Sequence, residues 1–199
     1  MEESWSRLME RQLSGVAEFS RSSMDNDTLR VRFFDHDLLV DPGRRCVERD
    51  GEDAGPFISV LILHYLLGCG PADPTGRYIT FREVPGGDIY YPTFRKRAID
   101  RLARVFEERP RDLIRAGESI GASPADIGTA SVEVRVFPKV PVTVVMWEGD
   151  EEIPASANIL FDETLPDILP MEDVSIVGNM VSSKLRKVGG SLPQVDSRG

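Results

Sequence analysis

Residues 57–67 read Phe-Ile-Ser-Val-Leu-Ile-Leu-His-Tyr-Leu-Leu, apolar at nearly every position. A helix made from such a segment has no polar face to offer water, so the rest of the chain must enclose it from several sides. Pro56 suits the first turn of that helix and Gly68 its end. The apolar run reaches Cys69, is interrupted by His64, and stays short of the roughly 20 residues that a membrane span needs. It is therefore read as the buried spine of a core, and a chain of 199 residues is long enough to build one such core around it.

The flanking segments supply the enclosure. Residues 2–20 bring Trp5, Leu8, Met9, Gln12, Leu13, Val16, Ala17 and Phe19 close to one helical stripe, which predicts a single amphipathic helix. Residues 29–33 alternate apolar with charged side chains as a half-buried strand does. Residues 38–40 and 45–48 flank Asp41-Pro42-Gly43-Arg44 and predict a hairpin. A short strand is expected over 78–82 and a turn at Pro85-Gly86-Gly87. Pro92 then opens a helix carrying Phe94, Ala98, Ile99, Leu102, Val105 and Phe106, and a second short helix spans about 111–120. The last third changes character: 132–136, 142–147 and 157–161 read as three strands of an antiparallel meander. Pro170 opens a final helix with Val174, Val177, Met180, Val181 and Leu185 on one face. The expectation is α+β: an antiparallel sheet packed by several helices, in a single domain over residues 1–188, with 189–199 as a flexible tail.

Charge narrows the partners. Lys and Arg total 24 against 33 Asp and Glu, a net charge of −9 with both histidines neutral. Nucleic acids and anionic membranes are bound chiefly by neutralising phosphates with cations, so neither is an expected partner. The acidic start Met1-Glu2-Glu3-Ser4 lacks the architecture of a secretory signal, which points to the cytoplasm. Cys46 and Cys69 are too few and too widely spaced for a CxxC-type metal or cluster site, and free thiols are expected.

Four places carry groups capable of chemistry. In Asp35-His36-Asp37 the imidazole is flanked by carboxylates, but on an extended segment both point away from it, so a solvated strand end is the simpler expectation. His64, alone on an apolar helix, is either a core histidine donating to a carbonyl or an axial ligand to a tetrapyrrole metal. Trp147-Glu148-Gly149-Asp150-Glu151-Glu152 crowds four carboxylates at a hairpin tip. Asp150, Glu151 and Glu152, with Asp162 and Glu172, are the candidate ligands of a divalent cation; the alternative is a solvated acidic turn. Finally, residues 95–111 hold seven basic side chains against three acidic ones. Placed after Gly86-Gly87, they suit an anion at a helix start, met by Arg82 and Arg95. A basic face paired internally with the acidic turn is the alternative. Arg82, Glu83, Gly86, Gly87, Tyr90, Tyr91, Arg95 and Trp147, together with His64, make up the candidate cofactor-binding set.

The stretches Thr80-Phe81-Arg82-Glu83-Val84-Pro85-Gly86-Gly87, Trp147-Glu148-Gly149-Asp150-Glu151-Glu152-Ile153-Pro154-Ala155, Leu160-Phe161-Asp162 and Leu169-Pro170-Met171-Glu172-Asp173 add a further signal. In combination they resemble a family known as domain of unknown function 3786, over roughly residues 65–185. The resemblance implies a setting in anaerobic bacteria or archaea, where relatives are sometimes fused to a cysteine-rich iron–sulfur module that this sequence lacks. It implies the context of one-carbon or redox metabolism and transfers no catalytic residue. The function expected is binding of an anionic small molecule or cofactor, a corrinoid or haem-like tetrapyrrole above all. The alternatives are a divalent-metal enzyme using residues 150–152, and an accessory subunit docking on a redox enzyme or iron–sulfur protein.

Overall fold

A computed structural model describes residues 1–192 of the chain, and the structural statements below concern those residues. The N-terminal sheet is built from sequential hairpins, β1 (Ser23–Asp25), β2 (Thr28–Phe33), β3 (His36–Asp41), β4 (Cys46–Arg49) and β5 (Glu52–Asp53), in spatial order β1-β2-β3-β4-β5. The hairpin expected around residues 41–44 is β3–β4, and the Asp41 carboxylate accepts the Arg44 N–H at 2.9 Å across its turn. Leu29, Val31 and Phe33 alternate inward from β2. The second sheet contains β6 (Tyr78–Thr80), β7 (Ser123–Ala125), β8 (Ala130–Phe137), β9 (Val140–Trp147) and β10 (Ser156–Asp162) in the order β6-β10-β9-β8-β7. The expected meander is its centre. The fold is α+β as expected, with the antiparallel strands divided between two sheets; the short strands at 23–25, 52–53 and 123–125 carry no alternation that reveals them.

The helices α1 (Glu2–Met9), α2 (Leu13–Ser20) and α3 (Pro56–Gly68) pack together. Residues 2–20 form two helices rather than the single one expected. An unbroken helix of that length would extend about 28 Å, whereas the break at Gln12, with φ −71° and ψ 111°, lets Trp5 and Leu8 from α1 and Val16 and Ala17 from α2 bury in the same core. On the other side, α5 (Asp100–Phe106) and α6 (Asp112–Glu118) each pack against α8 (Met171–Gly189), with the short α7 (Leu165–Ile168) leading into α8. Val174, Val177, Val181 and Leu185 form the buried stripe of α8, as their spacing predicts.

One helix begins earlier than its proline suggests. β6 ends at Thr80, and residues 81–83 form a 3₁₀ turn closed by a reciprocal Thr80–Glu83 capping box. Helix α4 (Gly87–Phe94) follows directly, so Pro92 lies inside it. Gly86 has φ 80°, and a Cβ on Gly87 would lie 1.9 Å from the Phe81 carbonyl oxygen, so both glycines are dictated by the turn. Shortly after Pro92, which has no N–H to donate, the helix widens into a π-turn over Arg95–Ile99, where the Asp100 N–H bonds the Arg95 carbonyl.

The two sheets and α3 meet at an aromatic junction. The Phe34 N–H donates to the Val136 carbonyl at 2.8 Å, linking the sheets. The Tyr65 ring of α3 stacks on Phe137 with centroids 4.2 Å apart, and Phe33 lies 5.0 Å from Phe137. The Tyr65 hydroxyl donates to the Ser20 carbonyl at 2.6 Å, which ties α2 to the same point. Among the described residues no helix is long and apolar enough to cross a membrane. Gly189 closes α8 and Leu192 packs partly against the core, so the expected tail does not begin at 189; its remainder, residues 193–199, lies outside the described residues.

Replacing Tyr65 with Phe preserves the stack and removes one buried donor, leaving the Ser20 carbonyl without it. The expected loss is about 1–2 kcal/mol of stability, measured as a lower urea midpoint at unchanged m-value.

Candidate functional site

His64 and Asp173 come together from elements 109 residues apart in sequence. His64 lies in the penultimate turn of α3, on the strip formed with Phe57 and Val60 that is not fully enclosed. Asp173 lies in the first turn of α8, just after Pro170. The His64 Nδ1 is 2.5 Å from Asp173 Oδ2, with the imidazole side chain 34% exposed and the carboxylate only 7%. With Nδ1 so engaged, Nε2 has no hydrogen-bond partner among the described residues. A cleft of about 210 Å³ lined by Arg7, His64, Leu67, Gly68 and Pro170 opens beside it. Gly68 makes the close approach of α3 to α7 possible, since a Cβ there would lie 1.9 Å from the Ile168 carbonyl oxygen.

Burial pushes the Asp173 carboxyl above the usual carboxylate range, against the opposing hydrogen bond and charge of His64. A largely buried carboxylate beside a half-exposed imidazole fixes the ring's orientation and selects Nδ1 as the nitrogen that faces inward. Such a pair can hold a proton at the ring or present Nε2 as a donor. The expectation of a core histidine donating to a carbonyl is therefore replaced by a carboxylate-backed one. Cys46 and Cys69 are both free, and burial raises the Cys69 thiol to about 11, which makes it a poor nucleophile.

The other candidates do not converge. Arg82 stands 4.2 Å over the Tyr91 ring and 3.8 Å from Asp88, while Arg95 bonds Asp100 at 3.1 Å, so both arginines already have partners. Glu83 caps Thr80, and Gly86 and Gly87 shape the turn. Tyr90 is exposed, and the neighbouring Tyr91 is half-buried with Arg82 over its ring. Trp147 lies over Gly128, in the link between β7 and β8, whereas Arg82 follows β6 at the opposite edge of the sheet. The expected cofactor wall of Arg82, Tyr91, Arg95 and Trp147 is thus not assembled, since Trp147 ends the central strand β9, two strands away from β6.

The carboxylate set is divided as well. Ser156 pairs with Trp147, next to the acidic turn, and Asp162 ends the same strand six residues later, about 20 Å away. In the turn, Asp150 accepts the N–H groups of Glu152 and Ile153 at 2.9 and 2.8 Å, which lowers its pKa and defines a backbone role. Asp162 accepts the N–H groups of Thr75, Gly76 and Thr164 and the Thr164 hydroxyl. Burial raises its pKa, but these donors outweigh burial and hold it below the usual range. Among the described residues no three His, Cys, Asp or Glu side chains group as a metal site. Glu151, Glu152 and Glu172 are exposed. In the Asp35-His36-Asp37 segment, Phe34 turns the chain with φ 52°, so Asp35 does reach the His36 Nδ1, at 3.3 Å, while Asp37 pairs with Arg32.

The sequence reading names His64 but passes over Asp173, although Asp173 closes one of the quoted stretches. An acidic residue in the first turn of a helix is common for reasons of dipole alone, and nothing local links it to a histidine 109 residues away.

Two carboxylates should shift stability with pH in opposite directions. Asp173 has a raised folded pKa, so its contribution is fully present below the ordinary carboxylate value of 3.8 and is lost as pH rises through the folded value. Urea unfolding from pH 4 to 7 should therefore show the stability of Asp173→Asn rising relative to the parent chain. Asp162 has a lowered folded pKa, so its contribution is present above 3.8 and lost as pH falls through the folded value. Asp162→Ala should cost about 2–4 kcal/mol at pH 7, measured by the same method, because three backbone donors lose their acceptor.

A family model described as Domain of unknown function (DUF3786) matches residues 12–184. No curated protein and no solved structure matches the chain. The matched span runs from the start of α2 into the last turns of α8, and it includes both sheets, His64 and Asp173 but not Arg7. The chain belongs to the family described as Domain of unknown function (DUF3786).

Proposed function

We propose that the protein binds a metal-bearing cofactor and that His64 is its axial donor, with a tetrapyrrole of the corrinoid or haem type as the ligand class. The observation carrying this reading is the 2.5 Å contact between His64 Nδ1 and the buried Asp173. Metal-ligating histidines characteristically give their second ring nitrogen to a carboxylate, which orients the ring and raises its basicity. The donor set also favours this class. A bare cation needs three or more protein ligands, and no such group exists among the described residues, whereas a tetrapyrrole brings four equatorial donors and asks the protein for one. When bound, the cofactor would supply the redox or group-carrying chemistry of its metal.

The chain's own residues have distinct parts. Asp173 holds the proton on Nδ1 and keeps Nε2 toward the cleft. Leu67 and Pro170 offer apolar contact, and the Arg7 guanidinium suits an acidic substituent. At about 210 Å³ the cleft is smaller than the ~300 Å³ typical of enclosing sites, so the ligand remains largely on the surface, open to a partner. An iron–sulfur or other redox protein of anaerobic metabolism, the setting that the family resemblance implies, is a fitting partner.

Haem and aquocobalamin, added separately to the purified protein, should each be scored by absorbance and thermal shift. A shifted visible band is expected with at least one, lost in His64→Ala and restored by free imidazole. Asp173→Asn should weaken binding about 10- to 100-fold, the usual effect of losing such a backing carboxylate. Unchanged spectra with both cofactors, or equal shifts in wild type and His64→Ala, would overturn the reading.

A further inference from the structure

A different surface, independent of His64, also has unassigned binding chemistry. Pro92, Thr93, Lys96, Arg97 and Arg101 line a cleft of about 440 Å³ along the α4–α5 helix. Thr93, Arg97 and Arg101 follow one another at spacings of four, and the π-turn at Arg95–Ile99 sits in their midst. Such a turn inserts one residue into the helix and re-aims the side chains around it; π-turns of this kind are frequent at functional sites.

The cations of this helix are of two kinds, paired and unpaired. Arg95 and Asp100, on the same stretch of helix, satisfy each other at 3.1 Å. Lys96, Arg97 and Arg101 form no ion pair within 4.0 Å among the described residues, and all three face one concavity. Three unpaired cations gathered in a concave site, beside the Thr93 hydroxyl, form a receptor for an anion of several charges.

Arg97 also borders a second cleft, of about 370 Å³, with Phe57, Ile176, Met180 and the polar side chains of Ser175, Asn179 and Ser183. Phe57 is 55% exposed, an uncovered aromatic ring at the edge of this hollow. Asn179 donates its amide N–H to the Ser175 carbonyl at 2.7 Å, so its carbonyl oxygen stays free to accept from a ligand. The two clefts share Arg97 as a common wall, one basic and the other amphipathic.

We infer that the paired clefts form a site for a nucleoside di- or triphosphate, with the phosphates between Lys96, Arg97 and Arg101 and the base against Phe57. An oligophosphate matches the number of free cations, and a flat, hydrogen-bonding base matches an exposed ring flanked by an amide. Inorganic polyphosphate shares the anionic part but has nothing to place on Phe57.

Isothermal titration at low salt with ATP, ADP, tripolyphosphate and adenosine tests this. ATP and ADP should bind more tightly than tripolyphosphate, and adenosine weakly. Arg97→Ala should weaken ATP about tenfold or more, the usual loss for one charged hydrogen bond, with Arg97→Lys recovering part of it. Phe57→Ala should bring ATP down to the affinity of tripolyphosphate and leave tripolyphosphate itself unchanged. These side chains are exposed, and unchanged thermal unfolding confirms that each variant is folded. Three results overturn the inference: no binding of ATP at millimolar concentration, binding unaffected by Arg97→Ala, or equal binding of ATP and tripolyphosphate. His64→Ala should leave ATP binding untouched, which separates this site from the cofactor reading.

Discussion

The enclosure of α3 is the constraint on which the rest of the structure depends. Leu61, Ile62, Leu63, Tyr65 and Leu66 are between 0 and 1% exposed, so no side of this helix except one narrow strip reaches water. Each such aliphatic side chain contributes roughly 1.5–3 kcal/mol when removed from water, and realising that gain requires neighbours on all sides. α1 and α2 supply one side, α7 another, and the Tyr65–Phe137 stack joins the helix to the end of β8. The strip left over carries Phe57, Val60 and His64, at helical spacings of three and four. The two side chains on it that are capable of recognition border the clefts on which both proposals rest.

Buried charge is handled in two ways. Lys139, in the β8–β9 turn, is 3% exposed and donates to the carbonyls of Gly70 and Ala72 at 2.8 and 2.9 Å. Asp162, at the end of β10, accepts from the N–H groups of Thr75 and Gly76. Between them these two ions clamp the loop after α3 by its backbone, one at its carbonyls and the other at its amides. A loop rich in Gly and Pro has few side chains to anchor it, so charged hydrogen bonds to its main chain are an effective substitute. In both cases the ion is satisfied by the fold, and its role is complete without any ligand.

Much of this fold was legible because the periodicities are strong. The central meander, the β3–β4 hairpin, α3 and α8 all follow from alternation, apolar runs or proline starts. The early start of α4 was hidden because it follows from the tight turn before it: Gly87 lies against the Phe81 carbonyl, and that turn outweighs the usual preference of proline for the first turn. The break between α1 and α2 was hidden because no glycine or proline marks it and only α3 rewards it. The basic character of residues 95–111 was legible, whereas its division into paired and unpaired cations was not. Which arginine finds a carboxylate depends on a helix phase that the π-turn shifts. His64 was visible as an exception in an apolar run, and its partner emerges only when α7 turns α8 back against α3.

Asp173 differs from Asp162 in the number of groups that hold it. Asp162 collects four hydrogen bonds, which outweigh burial and keep its proton affinity low, whereas Asp173 has the single imidazole of His64 and its affinity rises. A carboxylate in that condition weakens the folded state at neutral pH relative to an uncharged residue of the same shape. Local sequence, packing and polar satisfaction agree over most of this molecule, and places where they disagree are commonly those that chemistry occupies. The His64 contact compensates for only part of the burial, and His64 itself borders a cleft. An electrophilic metal or a proton delivered at Nε2 would increase the positive charge on the imidazole and so strengthen its attraction to Asp173. Positive charge gained by the ring would therefore also stabilise Asp173 in its charged form.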